Sequence, residues 1–224
     1  MRALTEKRHL LFPNNTVCYK SMKLKQIQQV CNIKMITALV DTLLTTYDTP
    51  KVYSEDPSVD ISRIAMNLGI LGVIPVPCEE LEGNHAIFEN SNIKIDKDDP
   101  KEKQVFSIAH EIGHIVLGHI DITAKYKVAR HGISRINEQY KKIKTENIKN
   151  IISVKLLQEL VDDRLADFFA ASLLVPINRF LLWEDKQDDE IAAAFGVEVK
   201  CIGKRRQEIK DILPELVLNT HAIG

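Results

Sequence analysis

Residues 106–119 read FSIAHEIGHIVLGH, a run that places two histidines and a glutamate among mostly uncharged residues. His110 and His114 are four residues apart, so on a helix they lie one turn apart and both imidazoles can reach one metal ion. Glu111 directly follows the first histidine. Zinc lowers the pKa of water toward about 7, and a neighbouring carboxylate can accept the proton of such a water as it attacks a carbonyl carbon. The spacing therefore predicts a zinc site with Glu111 as its general base.

The apolar setting of this run strengthens the metal interpretation. The two residues between the histidines are Ile112 and Gly113, and the flanking residues carry no charge. Burying two histidines and a glutamate there costs several kcal/mol unless a partner compensates, which a metal ion would do. The alternative is a core helix with hydrogen-bonded histidines. We interpret His119, beyond one helical turn from the pair, as a surface residue or a support for a ligand rather than a ligand.

A catalytic zinc ion needs a third protein ligand and one open position. Residues 154–174 are predicted to form an apolar helix that stops before Pro176. This helix carries four acidic residues, Glu159, Asp162, Asp163 and Asp167. Asp163 and Asp167 are one turn apart, so one could bind the ion while the other accepts a hydrogen bond from a ligand histidine and fixes its tautomer.

The composition excludes several other classes of protein. Among 224 residues, 30 basic residues nearly balance 31 acidic ones, so no global charge favours nucleic acid or an anionic membrane. The four cysteines form no CxxC pair, which argues against a cysteine zinc site and gives no disulfide framework. No stretch approaches the roughly 20 apolar residues that span a bilayer. We therefore expect a soluble, cytoplasmic protein without a membrane partner.

The remaining pattern predicts helices interspersed with short strands. Asp60 is placed as the N-cap of a helix that ends at Gly69. Strands are expected at 70–76, 85–88 and 93–95, the last two joined by a hairpin turn. Further helices are predicted at 36–44, from Asp98 through His119, and on both sides of a turn at 195–197.

Residues 121–150 differ in character from the rest of the chain. They hold eight lysines and arginines against three acidic residues. A solvated helical insertion is the simpler interpretation. A basic contact surface for a partner protein or nucleic acid is the alternative.

Two motifs, in this order, resemble those of the ImmA/IrrE family of HExxH metallopeptidases, which is associated with regulated cleavage of repressors in bacteria and mobile elements. The first is FSIAHEIGHIVLGH, and the second is RLADFFAASLLVP at 164–176. The resemblance covers roughly residues 36–207, beginning before DISRIAMNLGI at 60–70 and ending within IAAAFGVEVKCIGKRRQEI at 191–209.

This resemblance implies an α+β fold. A zincin-like metallopeptidase domain of helices and a small, mostly antiparallel sheet is expected at 36–176, after an N-terminal extension at 1–35. A small helical segment that resembles a helix-turn-helix is expected at 177–224.

The family's second motif is similar to ExEADxFAAxLLxP, whose first glutamate is the expected zinc ligand. Aligned on Ala166 and Pro176, that glutamate falls at Asp163 and the family's aspartate falls at Asp167. Leu165 replaces the second glutamate.

The resemblance thus implies that Asp163 holds zinc with the two histidines, and that Asp167 orients His110. An aspartate side chain is one methylene shorter than a glutamate, so the helix must come closer to the ion. If it does not, Glu159, one turn earlier on the same face, is the replacement.

The implied function is that of a zinc-dependent endopeptidase that cleaves a regulatory protein. The expected substrate is a helix-turn-helix transcriptional repressor of a bacterial mobile element or stress response. In peptidases of this helix type a substrate lies along a sheet edge, so residues 84–89 or 92–96 are expected to pair with it.

Two other functions stay open at this point. A non-proteolytic regulator or antitoxin-like binding protein could retain the metallopeptidase fold, and the substituted ligand favours it. Direct nucleic-acid binding is less favoured. It would use residues 188–211, which resemble half of a helix-turn-helix, with phosphate meeting Lys204, Arg205 and Arg206.

Overall fold

The structure is a computed structural model that describes residues 24–48, 56–119 and 151–220, with side chains described at 33–48, 56–119 and 161–211. The chain divides into two compact units, Met1–Met35 and Ile36–Gly224. The candidate site lies in the second unit. The basic segment 121–150 and most of the extension 1–35 lie outside the described residues. Their roles, and the division into 1–35, 36–176 and 177–224, stay predictions.

Helices and a three-stranded sheet make up the described chain, which confirms the α+β class and the helical C-terminal segment. The helices are α1 (Leu24–Tyr47), α2 (Ile61–Asn67), α3 (Lys101–Val116), α4 (Ile151–Leu174), α5 (Ile177–Phe180), α6 (Asp188–Phe195) and α7 (Val199–Thr220). The strands are β1 (Gly72–Val76), β2 (Ala86–Glu89) and β3 (Asn92–Asp96), with a short 3-10 turn at Cys78–Leu81. None of the described helices is long and apolar enough to cross a membrane.

Local chemistry explains how several of these elements begin and turn. Asp60 caps α2 as predicted, because its Oδ1 accepts a hydrogen bond from the backbone N–H of Arg63 at 3.0 Å. The hairpin between β2 and β3 turns on Asn90 and Ser91, whose φ angles of 51° and 61° are both positive. Two-residue turns with positive φ match the twist of paired strands.

The sheet has the strand order β1-β3-β2. β2 and β3 are antiparallel, whereas β1 pairs with β3 in parallel. The sheet is therefore mixed, where a mostly antiparallel one was expected. The prediction that residues 92–96 pair with a substrate is wrong, because β3 is the central strand and both of its edges are already bonded. Residues 84–89 contain β2, which forms an edge of the described sheet.

α3 ends at Val116, three residues before its predicted end at His119. The cause is Gly118, which adopts a left-handed φ of 73° that residues with a Cβ rarely adopt. The N–H of Gly118 bonds to the carbonyl of Ile115 at 3.1 Å, and the N–H of His119 bonds to the carbonyl of His114 at 2.8 Å. This pair of bonds is the Schellman motif, and it turns the chain back toward α3.

The crossing of α3 and α4 positions the candidate site. α3 contacts β2, β3 and α4, and Ile112 and Phe169 are fully buried in the core. A Cβ on Gly113 would lie 3.0 Å from Phe169 Cδ1 and 3.1 Å from the backbone of Ala166. The missing side chain therefore lets the two helices approach closely.

The C-terminal helices engage two of the three cations on which the nucleic-acid alternative depends. Arg205 of α7 is buried, and its Nε donates a hydrogen bond to the carbonyl of Val175 at 3.0 Å. Arg206 donates to Asp188 Oδ1 at 2.8 Å. Two of the three cations expected to meet phosphate are therefore engaged within the protein, and only Lys204 is exposed.

Candidate metal centre

α3 presents three polar side chains on one buried face. His114 is fully buried, and Glu111 is 6 % exposed. The Nε2 atoms of His110 and His114 lie 3.0 Å apart, because residues four apart on a helix stand one above the other. The structure thus brings together the two histidines that the sequence motif singled out, and Glu111 is buried on the same helix.

α4 adds a carboxylate to this pair. Asp163 is buried, and its Oδ1 lies 3.3 Å from His114 Nε2. One ligand atom from each of His110, His114 and Asp163 falls within 4.8 Å of the others. Two imidazole nitrogens and one carboxylate oxygen form a donor set that suits zinc, so the residues present fit such an ion.

The close helix crossing at Gly113 is relevant to Asp163, whose side chain is shorter than the glutamate of the family motif. The sequence required the ligand helix to come nearer the ion than a glutamate would need. Gly113 is adjacent to His114, and its neighbour Ala166 is one turn from Asp163 on α4. The contact therefore draws the two helices together at the level of the donor atoms.

Asp167, one turn beyond Asp163, contacts the other ring nitrogen of His110. Its Oδ1 lies 2.9 Å from His110 Nδ1. With a proton on Nδ1, the Nε2 lone pair of His110 is directed at the cluster, which is how carboxylates orient metal-binding histidines.

The surroundings raise the pKa of His110 above its ordinary value. Burial alone would lower that pKa. The hydrogen bond with Asp167 acts in the opposite direction, and the negative charges of Glu111, Asp167 and Asp163 add to it. A site that favours positive charge at this position also favours a bound cation.

His119 is the residue whose position the sequence left least defined. Its Nδ1 lies 3.0 Å from His114 Nδ1, and its Nε2 lies 3.5 Å from Asp162 Oδ1. It is therefore not at the surface but behind a candidate ligand. Sequence reasoning gave Asp162 no role of its own. The only signal was Gly118, whose turn returns the chain toward α3.

Glu159 was the replacement for Asp163, and its side chain lies outside the described residues. A second group, His85, Asp96 and Asp99, also has ligand atoms within 4.8 Å of one another. There, however, the ammonium of Lys103 lies 2.9 Å from Asp99 Oδ1, so a cation of the protein already balances that carboxylate. The centre on α3 and α4 is the stronger candidate.

Comparison with known protein families assigns this site to a class. The family model Peptidase_M78, described as the IrrE N-terminal-like domain, matches residues 68–206, more than half of the chain. The chain belongs to the Peptidase_M78 family. The resemblance to ImmA/IrrE proteins is thereby confirmed, and a metallopeptidase is the class that membership indicates. Comparison with curated proteins finds no match.

The Peptidase_M78 match takes in the sheet, α3 to α6 and the first two turns of α7. Both helices that carry the candidate ligands therefore lie inside the part of the chain that defines the family. α1 and α2 precede the match, although the motif-based resemblance begins at residue 36.

Proposed function

We propose that this protein is a zinc-dependent endopeptidase in which His110, His114 and Asp163 hold the ion and Glu111 is the general base. One observation carries the proposal: the ligand atoms of these three residues converge within 4.8 Å beside a glutamate that is itself buried. A buried carboxylate next to a cation site is the arrangement that metal-assisted hydrolysis uses.

Each residue of the centre has a distinct role in this proposal. When bound, zinc supplies Lewis acidity that polarises a carbonyl group and acidifies water. Glu111 accepts a proton from the attacking water and returns it to the leaving amine nitrogen. Asp167 accepts the Nδ1 proton of His110 and so keeps the Nε2 lone pair available for the ion.

The substrate is proposed to pair with residues 84–89. β2 lies at an edge of the described sheet and contacts α3. An extended peptide added to such an edge is held by main-chain hydrogen bonds whatever its side chains. Pairing at β2 would hold the peptide on a strand that contacts the helix carrying Glu111.

The proposed target is a helix-turn-helix transcriptional repressor of a bacterial mobile element or stress response, cleaved in the cytoplasm. Support comes from the association of ImmA/IrrE proteins with repressor cleavage, together with the membership of this chain in that family. The geometry of the site supports hydrolysis of a peptide.

Comparison of the wild type with Glu111→Gln tests the activity. Glutamine keeps the size of the side chain but cannot accept the proton, so zinc content should persist while cleavage stops. New peptide N-termini are counted by mass spectrometry after each protein is expressed together with a helix-turn-helix repressor as the candidate substrate. Cleavage that persists in Glu111→Gln, or a wild type that binds no zinc after metal-replete expression, would contradict the proposal.

A second candidate function is a non-proteolytic binding protein that retains the fold. The observation that favours it is Asp163, where the family motif has a glutamate. In that case the wild type and Glu111→Gln would both capture the partner, and both would leave it intact.

Direct binding of nucleic acid has less support. Arg205 and Arg206 are engaged within the protein. The first turn of α6 carries three acids, Asp188, Asp189 and Glu190, which would repel the phosphates that a helix-turn-helix must approach.

A further inference from the structure

After α3 the chain turns back and places His119 against the candidate ligand His114. The left-handed Gly118 and the hydrogen bond from His119 N to the carbonyl of His114 fix the backbone of this turn. As a result the Nδ1 atoms of the two imidazoles meet at 3.0 Å. The His119 side chain is 11 % exposed, and the Asp162 side chain behind it is 16 % exposed.

His114, His119 and Asp162 form a chain of contacts. The ring nitrogen that carries the proton in His114 determines which ring nitrogen carries it in His119. If His114 binds an ion through Nε2, the proton of its neutral ring must be on Nδ1. That N–H can donate to His119 Nδ1 only if His119 Nδ1 carries no proton. The proton of His119 then stands on Nε2, on the side of Asp162 Oδ1 at 3.5 Å.

We propose that His119 and Asp162 are positioning residues that hold His114 in the Nδ1–H tautomer, with Nε2 directed at the metal. This inference rests on the metal centre of the proposed function but not on proteolysis. The two histidine ligands are then oriented by different kinds of partner. His110 is oriented by the carboxylate of Asp167 directly, and His114 by an imidazole that a carboxylate backs.

Because His114 is buried, the loss of His119 as its hydrogen-bond acceptor should weaken metal binding. Its side chain has no exposed surface, so bulk water cannot supply the acceptor that His119 supplies now. Loss of partners that orient metal-binding histidines typically weakens metal affinity by about 10–100-fold. A phenylalanine at 119 would keep the ring and remove the acceptor, whereas an asparagine would keep an acceptor oxygen near the position of Nδ1.

These two variants of the full chain provide the test, with His85→Phe as the matched control. His85 is an exposed histidine outside the proposed centre. Zinc affinity is measured by competition with a chromophoric chelator. His119→Phe should bind zinc about 10–100-fold more weakly than the wild type, and His119→Asn and His85→Phe should stay close to it. Equal affinity of His119→Phe and the wild type, or equal losses in the Phe and Asn variants, would overturn the inference.

Double substitution and ring tautomers give independent readouts. Because Asp162 acts through His119, His119→Phe combined with Asp162→Ala should lose no more affinity than His119→Phe alone. In the zinc-loaded wild type, long-range ¹⁵N–¹H spectra should show His114 protonated on Nδ1 and His119 on Nε2. A His119 ring protonated on Nδ1 would overturn the inference even if His119→Phe failed to fold.

The outcomes separate this inference from the proposed function. A wild type that binds no zinc would overturn both. A wild type that binds zinc but cleaves nothing would contradict only the proteolytic function. Zinc binding unaffected by His119→Phe would contradict only the role of His119.

Discussion

The Nε2 atoms of His110 and His114 face each other at 3.0 Å, while the Nδ1 atom of each ring meets another partner. Asp167 is the partner of the first ring and His119 that of the second. With both Nδ1 atoms protonated, the two Nε2 lone pairs would repel each other unless a proton or a cation lies near both. This pairing of oriented imidazoles is the basis of the proposed metal site.

Asp163→Ala should remove the third ligand and with it the bound zinc. The matched control is Glu159→Ala, which deletes a carboxylate one turn earlier on α4. Zinc per chain is measured by mass spectrometry after gel filtration in the presence of a weak chelator. Retention of zinc by Asp163→Ala together with its loss in Glu159→Ala would show that the glutamate is the ligand instead.

Gly113→Ala should destabilise the protein, because the new Cβ would stand 3.0–3.1 Å from Phe169 and the backbone of Ala166. Overpacking of this kind costs about 1–3 kcal/mol, measured by urea unfolding of the metal-free protein. Gly203→Ala is the control. Its nearest atom would be 3.9 Å away, and alanine stabilises an exposed helix by about 0.5–1 kcal/mol. Equal stability of Gly113→Ala and the wild type would refute the close crossing.

Arg179→Met should strongly destabilise the fold. Arg179 pairs with Asp48 in the interior and also donates to the carbonyl of Pro57 at 3.1 Å, so its removal leaves a buried carboxylate uncompensated. The expected loss of unfolding free energy is about 3–5 kcal/mol, and Asp48→Leu in the same chain should restore much of it.

A solvent-exposed ion pair is the control for that measurement. Lys200 and Glu198 lie 2.8 Å apart, with the lysine side chain 72 % exposed. Lys200→Met should change stability by at most about 1 kcal/mol. A similar loss in Lys200→Met and Arg179→Met would contradict a special role for the buried pair.

As the pH is lowered, zinc affinity should begin to fall. This fall should start at a higher pH than in a site whose histidine has an ordinary pKa. The proton competes with the ion for His110 Nε2. Because the pKa of His110 is raised, this competition begins above the usual histidine range and strengthens as the pH falls through the raised pKa. Asp167→Asn removes the charge that helps to raise it, so the decline should move to lower pH.

Titration of the metal-free protein by NMR checks the same point without zinc. The imidazole resonances of His110 should report a pKa above the ordinary histidine value, and Asp167→Asn should lower it. An unchanged pKa in Asp167→Asn would show that the 2.9 Å contact does not control the charge of this ring.

The histidine pair was predictable because its geometry is local, whereas its partners on the facing helix came from the family motif. His110 and His114 share a helix face by periodicity alone, and the family motif placed Asp163 and Asp167 on the facing helix. The hairpin at 89–92 and the cap at Asp60 were equally local and were predicted for the same reason.

Features that depend on distant contacts were not predictable from the pattern. The parallel pairing of β1 with β3 follows from how the chain packs, and neither strand carries a signal for it. The burial of Arg205, whose guanidinium stacks over the Phe168 ring, likewise depends on where α7 meets α4. His119 is an intermediate case. Gly118 marked the end of α3, but only the three-dimensional turn shows that the next residue returns to His114.

Anomalous scattering at the zinc absorption edge, measured from crystals grown with zinc, tests the central claim most directly. A single strong peak is expected between His110 Nε2, His114 Nε2 and Asp163, with distances of about 2.0–2.1 Å to nitrogen and about 2.0–2.2 Å to oxygen. Glu111 should not be a ligand. A peak bound by other residues, or no peak on α3, would contradict the account.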